Sequence, residues 1–185
     1  MAVIEQREIV GGACVNTGTI PSKTMREAVM HLSGFQYQGI YGINYRVKEK
    51  ITMADLGFRV NKVIKTEVDV TQAQLSRNGV EVITGRASFL DATHVRVENS
   101  RGQSDLEAPN IIICTGTKPA CSHTVPLNGH TIVNSDQILD IQEIPKTMIV
   151  VGGGVIGVEY TCMFAILGSR VILVEKRPRL LEFAD

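Results

Sequence analysis

A charge excess of either sign is what this sequence most plainly lacks. It carries 19 Lys and Arg against 19 Asp and Glu, with a pI near 6.9, which removes any electrostatic case for nucleic acid or an anionic membrane surface as partner. A long apolar run is missing too. The best candidate, Met148 to Val158, is broken at Gly152, Gly153 and Gly154, so no bilayer-spanning helix is expected. The start of the chain shows no basic segment, apolar core and cleavage site, so no secretory leader is expected either. Cysteine is sparse: Cys14, Cys114, Cys121 and Cys162 have neither metal-ligand spacing nor the look of a disulfide framework,. Reduced cysteines in a cytoplasmic protein are the expectation. His31, His94, His123 and His130 have no carboxylate or cysteine at motif spacing, and none is a catalytic or metal candidate. At 185 residues the chain is long enough for one good core or two small ones,.

What is present is concentrated in two places. Toward the end, Thr147 to Val151 reads as a buried strand, and Gly152-Gly153-Gly154-Val155-Ile156-Gly157 follows at once. Val158 to Leu167 has helical character, Gly168 is placed to cap it, and a second apolar strand, Val171 to Val174, ends in Glu175,. Strand, glycine turn, helix, strand and acid together form the dinucleotide-binding fingerprint in its required context. Gly152 permits the tight turn, Gly154 lets the backbone approach a pyrophosphate at the positive helix end, and Gly157 lets helix and strand pack closely. Glu175 would accept hydrogen bonds from an adenosine ribose and repel a 2′-phosphate. Lys176, Arg177 and Arg179 follow it and could offset that repulsion,. A site with both signs suits the use of both NAD and NADP.

Between the ends the pattern is mixed. Met1 to Glu5 is a short apolar strand ending in an acid, the same grammar as Val171 to Glu175. Pro21 suits a first helical turn, and Met25, Ala28, Val29 and Leu32 repeat on one face before Gly34,. Tyr37 to Lys50 reads as a loop. Thr52 with Asp55 resembles a capping box opening a long helix with Leu56, Val60, Val63, Ile64 and Val68 on one face, ended by Asn78-Gly79,. Val80–Thr84, Arg86–Phe89, Thr93–Val97 and Asp105–Glu107 are short strands of an antiparallel meander, and Asn110–Cys114 is a buried strand running into Thr115-Gly116,. Met25, Met30, Met148 and Met163 are read as core residues.

The other concentrated signal is Gly11-Gly12-Ala13-Cys14-Val15-Asn16-Thr17-Gly18-Thr19-Ile20-Pro21-Ser22-Lys23. It strongly resembles the signature of the flavoprotein disulfide reductases, the class I pyridine nucleotide-disulfide oxidoreductases. In that family two cysteines form a redox disulfide against the flavin. Here the first is Cys14 and the second position holds Thr19, whose hydroxyl cannot enter thiol–disulfide exchange,. This version resembles the family's transhydrogenase branch, which implies FAD-dependent hydride transfer between NADPH and NAD. A dihydrolipoamide dehydrogenase-like or mercuric reductase-like enzyme is the alternative that Thr19 opposes; a non-catalytic nucleotide-binding remnant is the other.

The resemblance implies an α/β, Rossmann-like FAD/NAD(P)-binding fold with an antiparallel β-meander, incomplete at both ends. Residues 1–118 would be a partial FAD-binding domain, 119–145 a connecting segment and 146–185 the first half of the NAD(P)-binding domain, with the complete protein a homo-oligomer. It places Gly12, Cys14, Thr19 and Lys23 at the flavin, Glu5 on the ribose of the FAD adenosine, and Gly85 and Ala87 at the flavin adenine. Thr115 and Gly116 would close over the FAD phosphates, and Ser135 would lie in the segment crossing to the nicotinamide domain. Gly152, Gly154, Val155, Gly157, Glu175 and Lys176 would hold the nicotinamide nucleotide. Val155 stands where thiol-substrate reductases often place a gating tyrosine. Lys23 and Glu159 are implied to form an ion pair beside flavin N5, where hydride arrives and a cation stabilises growing negative charge. The chain ends at Asp185 and lacks the first FAD phosphate loop, so the fragment is expected to bind FAD poorly and to be inactive alone.

Overall fold

Short β-branched runs in this chain find partners in two different ways, parallel and antiparallel. The computed structural model describes residues 1–121 and 124–181, so His123 and Asp185 lie outside the described residues. The chain forms two compact units, Met1–Asn16 with Ile64–Lys118 and Thr17–Val63 with Pro119–Asp185.

In the first unit, β1 (Ala2–Glu5) pairs in parallel with β2 (Glu81–Thr84), setting Val3 against Val82 and Ile4 against Ile83. A parallel pair cannot be closed by a tight turn, and the long connection includes the short α1 (Gly12–Asn16). A separate antiparallel meander follows: β3 (Arg86–Phe89), β4 (His94–Asn99) and β5 (Gly102–Glu107), in that order. Val95 and Val97 of β4 are buried, while Arg96 between them points out to bond both carboxylate oxygens of Asp105 at 2.8 and 2.9 Å, its direct cross-strand neighbour. That bidentate geometry fixes register more than it adds stability at an exposed site.

The second unit is built on a βαβ element. β6 (Thr147–Val151) and β7 (Arg170–Val174) pair in parallel, joined by α5 (Val155–Ile166), which packs on both strands. α2 (Thr19–Ser33) packs against α5. Met25 and Val29 of α2 are buried, as are Tyr160, Met163 and Phe164 of α5. After α2 come a 3-10 turn, Phe35–Tyr37, and α3 (Gln38–Tyr41). α4 (Met53–Arg77) then begins in this unit and runs into the first.

The start of α4 shows why it begins there. The Thr52 backbone N–H donates to Asp55 Oδ2 at 2.8 Å, and the Asp55 N–H donates to Thr52 Oγ1 at 3.3 Å, a reciprocal capping box,. Lys48 Nζ adds a 2.6 Å bond to Asp55. The hydrogen bond from Lys48, then those from Thr52, pull the Asp55 carboxyl down to about 2. Because the folded value is depressed, this contribution is full above the ordinary carboxylate range and is lost as pH falls through about 2,.

Several sequence expectations are corrected here. Asn110–Cys114 is neither a strand nor buried: Ile112 is 85% exposed, and no strand among the described residues pairs with it. An apolar run alone does not make a strand without a partner ladder. Val80–Thr84 does not join the meander, because its strand portion pairs with β1 instead. The proposed loop at Tyr37–Lys50 contains α3. α5 starts at Val155, earlier than the expected Val158. β6 is not buried on both faces, since Ile149 is 67% and Val151 78% exposed while Met148 and Val150 are half-buried. Only the first turns of the long α4 stripe are buried, at Met53, Leu56 and Val60; Val63, Ile64 and Val68 are only partly covered. Of the methionines, Met25 and Met163 are core residues, whereas Met30 and Met148 are half-buried.

Replacing Thr52 with alanine removes the cap acceptor and should lower stability by about 1 kcal/mol, read as a lower urea midpoint with unchanged slope. An unchanged midpoint would show that the box contributes nothing.

Candidate functional site

The glycine turn between β6 and α5 is tied down from two sides. The Gly152 N–H donates to the Val174 carbonyl at 2.8 Å, extending the β6–β7 ladder by one bond. The chain then turns through Gly153 and Gly154, and the Val158 N–H donates to the Gly154 carbonyl at 2.9 Å as α5 begins. A Cβ on Gly157 would fall inside the van der Waals envelope of the Gly152 carbonyl oxygen, so only glycine lets the helix approach the turn this closely without movement,. A Cβ on Gly154, by contrast, would meet nothing within 4 Å. The backbone at the helix N-terminus is therefore open to a ligand, as a nucleotide pyrophosphate requires. Val155, the first helical residue, is about half-exposed beside it.

Glu175, just beyond β7, reaches back across 22 residues of sequence to accept the Gly153 N–H at 2.5 Å. Its other oxygen accepts the Arg177 backbone N–H at 2.8 Å and Arg177 Nε at 3.1 Å. The side chain is only 12% exposed. Arg177, through its side chain and its backbone, and then Gly153 hold the Glu175 carboxyl at about 2. The depressed value means these bonds are intact above the usual carboxylate range and weaken only as pH falls through about 2,. Lys176 is exposed. Sequence reading missed the Glu175–Gly153 bond and the Arg177 clamp, for which the sequence signal is only a basic residue two positions after the acid.

Lys23 lies in the second turn of α2 and Glu159 in the second turn of α5, and the packing of those helices brings them into direct contact. The Lys23 ammonium donates to Glu159 Oε1 across 136 residues of sequence. Lys23 is half-exposed and Glu159 mostly covered. The next residue, Tyr160, buries its hydroxyl without a hydrogen-bond partner among the described residues. Burial first, then the charges of Glu159 and Asp136, push that phenol up to about 12, so it stays protonated.

The remaining candidates are distributed more loosely. Glu5 ends β1, its carbonyl accepting the Gly85 N–H at 2.9 Å and its carboxylate accepting the Arg7 N–H at 3.0 Å. Gly85 is buried, and a Cβ there would lie 2.6 Å from the Val97 side chain and 2.9 Å from the Glu98 carbonyl. Its glycine thus has a packing reason of its own. Ala87 pairs with Val97 in the meander. Gly12 and Cys14 lie exposed in α1, and Thr19 lies exposed at the start of α2. Thr115 and Gly116 are exposed and irregular, and Ser135 is half-buried just before a 3-10 turn, Gln137–Asp140. The four cysteines are free. His94 does find carboxylates: its Nδ1 lies 2.9 Å from Asp91 and its Nε2 lies 3.9 Å from Glu107. Asp91 also accepts the Thr93 and His94 backbone N–H groups at 2.8 Å each, which makes it the organiser of a turn,. Among the described residues no helix is long and apolar enough to cross a membrane.

The family described as pyridine nucleotide-disulphide oxidoreductase matches residues 1–185. The chain belongs to this family. It is 48% identical over its whole length to soluble pyridine nucleotide transhydrogenases of Mycobacterium bovis and Mycobacterium tuberculosis, and 40% identical to that of Yersinia pestis. In each case it spans 40% of the relative's length. Among solved structures it is similar to LpdA from Mycobacterium tuberculosis, with a TM-score of 0.84 and 27% identity, covering 96% of this chain and 39% of that one. It is also similar to the HOCl-induced flavoprotein disulfide reductase RclA from Escherichia coli, with a TM-score of 0.75 and 26% identity, covering 97% and 37%. The expected Rossmann-like α/β class therefore holds. The named relatives are transhydrogenases of pyridine nucleotides.

Gly157→Val should displace the glycine turn from α5. Overpacking of this kind typically costs about 1–3 kcal/mol, and nucleotide affinity should fall with it. Retention of both wild-type stability and nucleotide binding, by calorimetry, would show that the close approach has no role.

Proposed function

We propose that the complete protein transfers hydride between NADPH and NAD, with FAD as the bound redox group. The observation that supports this most is the Lys23–Glu159 contact, because it joins the helix after the redox signature to the helix after the nucleotide turn. The 48% identity to named transhydrogenases agrees with that reading.

The residues present fit both nucleotides. The open backbone at Gly154 and the oriented Glu175 suit a nicotinamide dinucleotide, and Gly12 and Gly116 likewise leave their Cα faces free of neighbours. In this reading residues 1–118 belong to the FAD-binding domain, 119–145 connect, and 146–185 open the NAD(P)-binding domain. Gly12, Cys14, Thr19, Gly85, Ala87, Thr115 and Gly116 hold the flavin, with Glu5 on its adenosine ribose. Ser135 lies in the crossing segment. Gly152, Gly154, Val155, Gly157, Glu175 and Lys176 hold the nicotinamide nucleotide.

Bound flavin supplies a two-electron hydride acceptor and donor, which no side chain here provides. Lys23 contributes a fixed positive charge where negative charge would accumulate, and Glu159 keeps that ammonium oriented. Thr19 removes the second thiol, so electrons have no dithiol to leave by. Val155 leaves the nicotinamide face uncovered. The proposed setting is cytoplasmic and homo-oligomeric.

Full-length protein should transfer hydride from NADPH to a thio-analogue of NAD, followed spectrophotometrically, and should not reduce lipoamide or glutathione disulfide. Robust disulfide reduction by the wild type would overturn the assignment.

A further inference from the structure

Three of the four tyrosines in this chain form one ring cluster. The ring centroids of Tyr41 and Tyr45 are 5.0 Å apart, with their planes tilted by 32°. Tyr37 stands edge-on to Tyr45 at 6.2 Å and lies 6.4 Å from Tyr41. All three belong to one compact unit, on the excursion between α2 and α4.

Local bonds hold the arrangement. The Gly42 N–H donates to the Gln38 carbonyl at 2.9 Å, and the Tyr45 N–H donates to the Gly42 carbonyl at 3.0 Å, turning the chain back after α3. Arg46 Nη1 donates to the Ile43 and Tyr45 carbonyls at 2.9 and 2.8 Å, and Gln38 Nε2 donates to the Tyr45 carbonyl at 3.3 Å. The Tyr45 ring rests on the bare face of Gly34, where a Cβ would fall 2.7 Å from it. Tyr45 is therefore the fixed member of the pair, and Tyr41, 66% exposed, is the accessible one.

We infer that Tyr41 and Tyr45 are an oxidative cross-linking site, which hydrogen peroxide and a haem peroxidase convert to a dityrosine bridge. The inference is independent of the function proposed above. Each phenol gives up one electron and one proton and becomes a phenoxyl radical. The two radicals join through a carbon–carbon bond between ring positions next to the oxygen-bearing carbons. The hydrogens on the joined carbons then move to the oxygens, which restores both phenols. One hydrogen peroxide takes up the two electrons and two protons and leaves as two waters.

Contact decides the coupling partner. A radical on an isolated exposed tyrosine must meet another molecule, whereas here the second ring is already in place, and a held geometry outcompetes a bimolecular encounter. Tyr41–Tyr45 is the closest of the three pairs, while Tyr37 and Tyr45 cross at 80°. Tyr160 is buried and makes no ring contact with another aromatic side chain among the described residues, so it stays outside this chemistry. Only Gly42, Ile43 and Asn44 lie between the bridged residues. So short a loop constrains the unfolded chain little, and the bridge acts locally, locking the turn after α3.

The test treats full-length protein briefly with hydrogen peroxide and a haem peroxidase, then reads a tryptic digest by mass spectrometry. Cleavage after Arg26 and Arg46 releases residues Glu27 to Arg46, a peptide with no internal Lys or Arg that carries all three tyrosines. In wild type this peptide should lose two hydrogens without gaining oxygen, and on fragmentation its backbone should not separate between Tyr41 and Tyr45. The yield should hold through about 100-fold dilution of the protein, as intramolecular coupling requires. Tyr41→Phe and Tyr45→Phe should each abolish the bridge, and Tyr37→Phe should keep it. A free tyrosine amide in a parallel sample reports that the oxidant is active. An unbridged wild-type peptide under conditions that couple the free amide would overturn the site. So would a bridge that survives Tyr41→Phe, or one that disappears on dilution.

Discussion

One ammonium–carboxylate contact, Lys23 to Glu159, ties the helix after the signature loop to the helix after the glycine turn. A half-exposed ion pair adds little to stability, so its importance must lie in placement. α2 follows the signature loop and α5 follows the glycine turn, and the contact fixes a cation at the point where those helices meet. Burial of Met25 and Val29 on one helix and Tyr160, Met163 and Phe164 on the other sets the helix positions before any charge is considered. Packing does the positioning, and the ion pair uses it.

The glycine turn follows the same logic at the backbone. Gly157 admits the helix, the Gly152 N–H extends the sheet ladder, and Glu175 holds Gly153 from the end of the neighbouring strand. Donors and acceptors are therefore oriented before a ligand arrives, which lowers the ordering cost of binding. The space at Gly154 is left free by the same arrangement.

Much of this was legible in the sequence, for identifiable reasons. The strand–turn–helix–strand–acid order is local, so 147–175 could be read as a βαβ element, and the Thr52–Asp55 box marked the start of α4. The Lys23–Glu159 partnership was legible only through family resemblance, since nothing local links residues 136 positions apart. Failures came where partners decide the outcome. Asn110–Cys114 has the composition of a strand but no neighbour to pair with among the described residues, and Val80–Thr84 was assigned to the wrong sheet because its true partner, β1, is far away in sequence. The Arg177 clamp was missed because a basic residue after an acid reads equally well as solvated charge.

The most direct test of this account is stopped-flow decay of flavin absorbance in full-length Lys23→Met protein mixed with NADPH and, separately, with NADH. Loss of one preorganised electrostatic group should slow flavin reduction by about 10-fold to 1,000-fold while FAD content stays at the wild-type level. Wild-type rates with both nucleotides and full FAD content would contradict the role given to the Lys23–Glu159 pair.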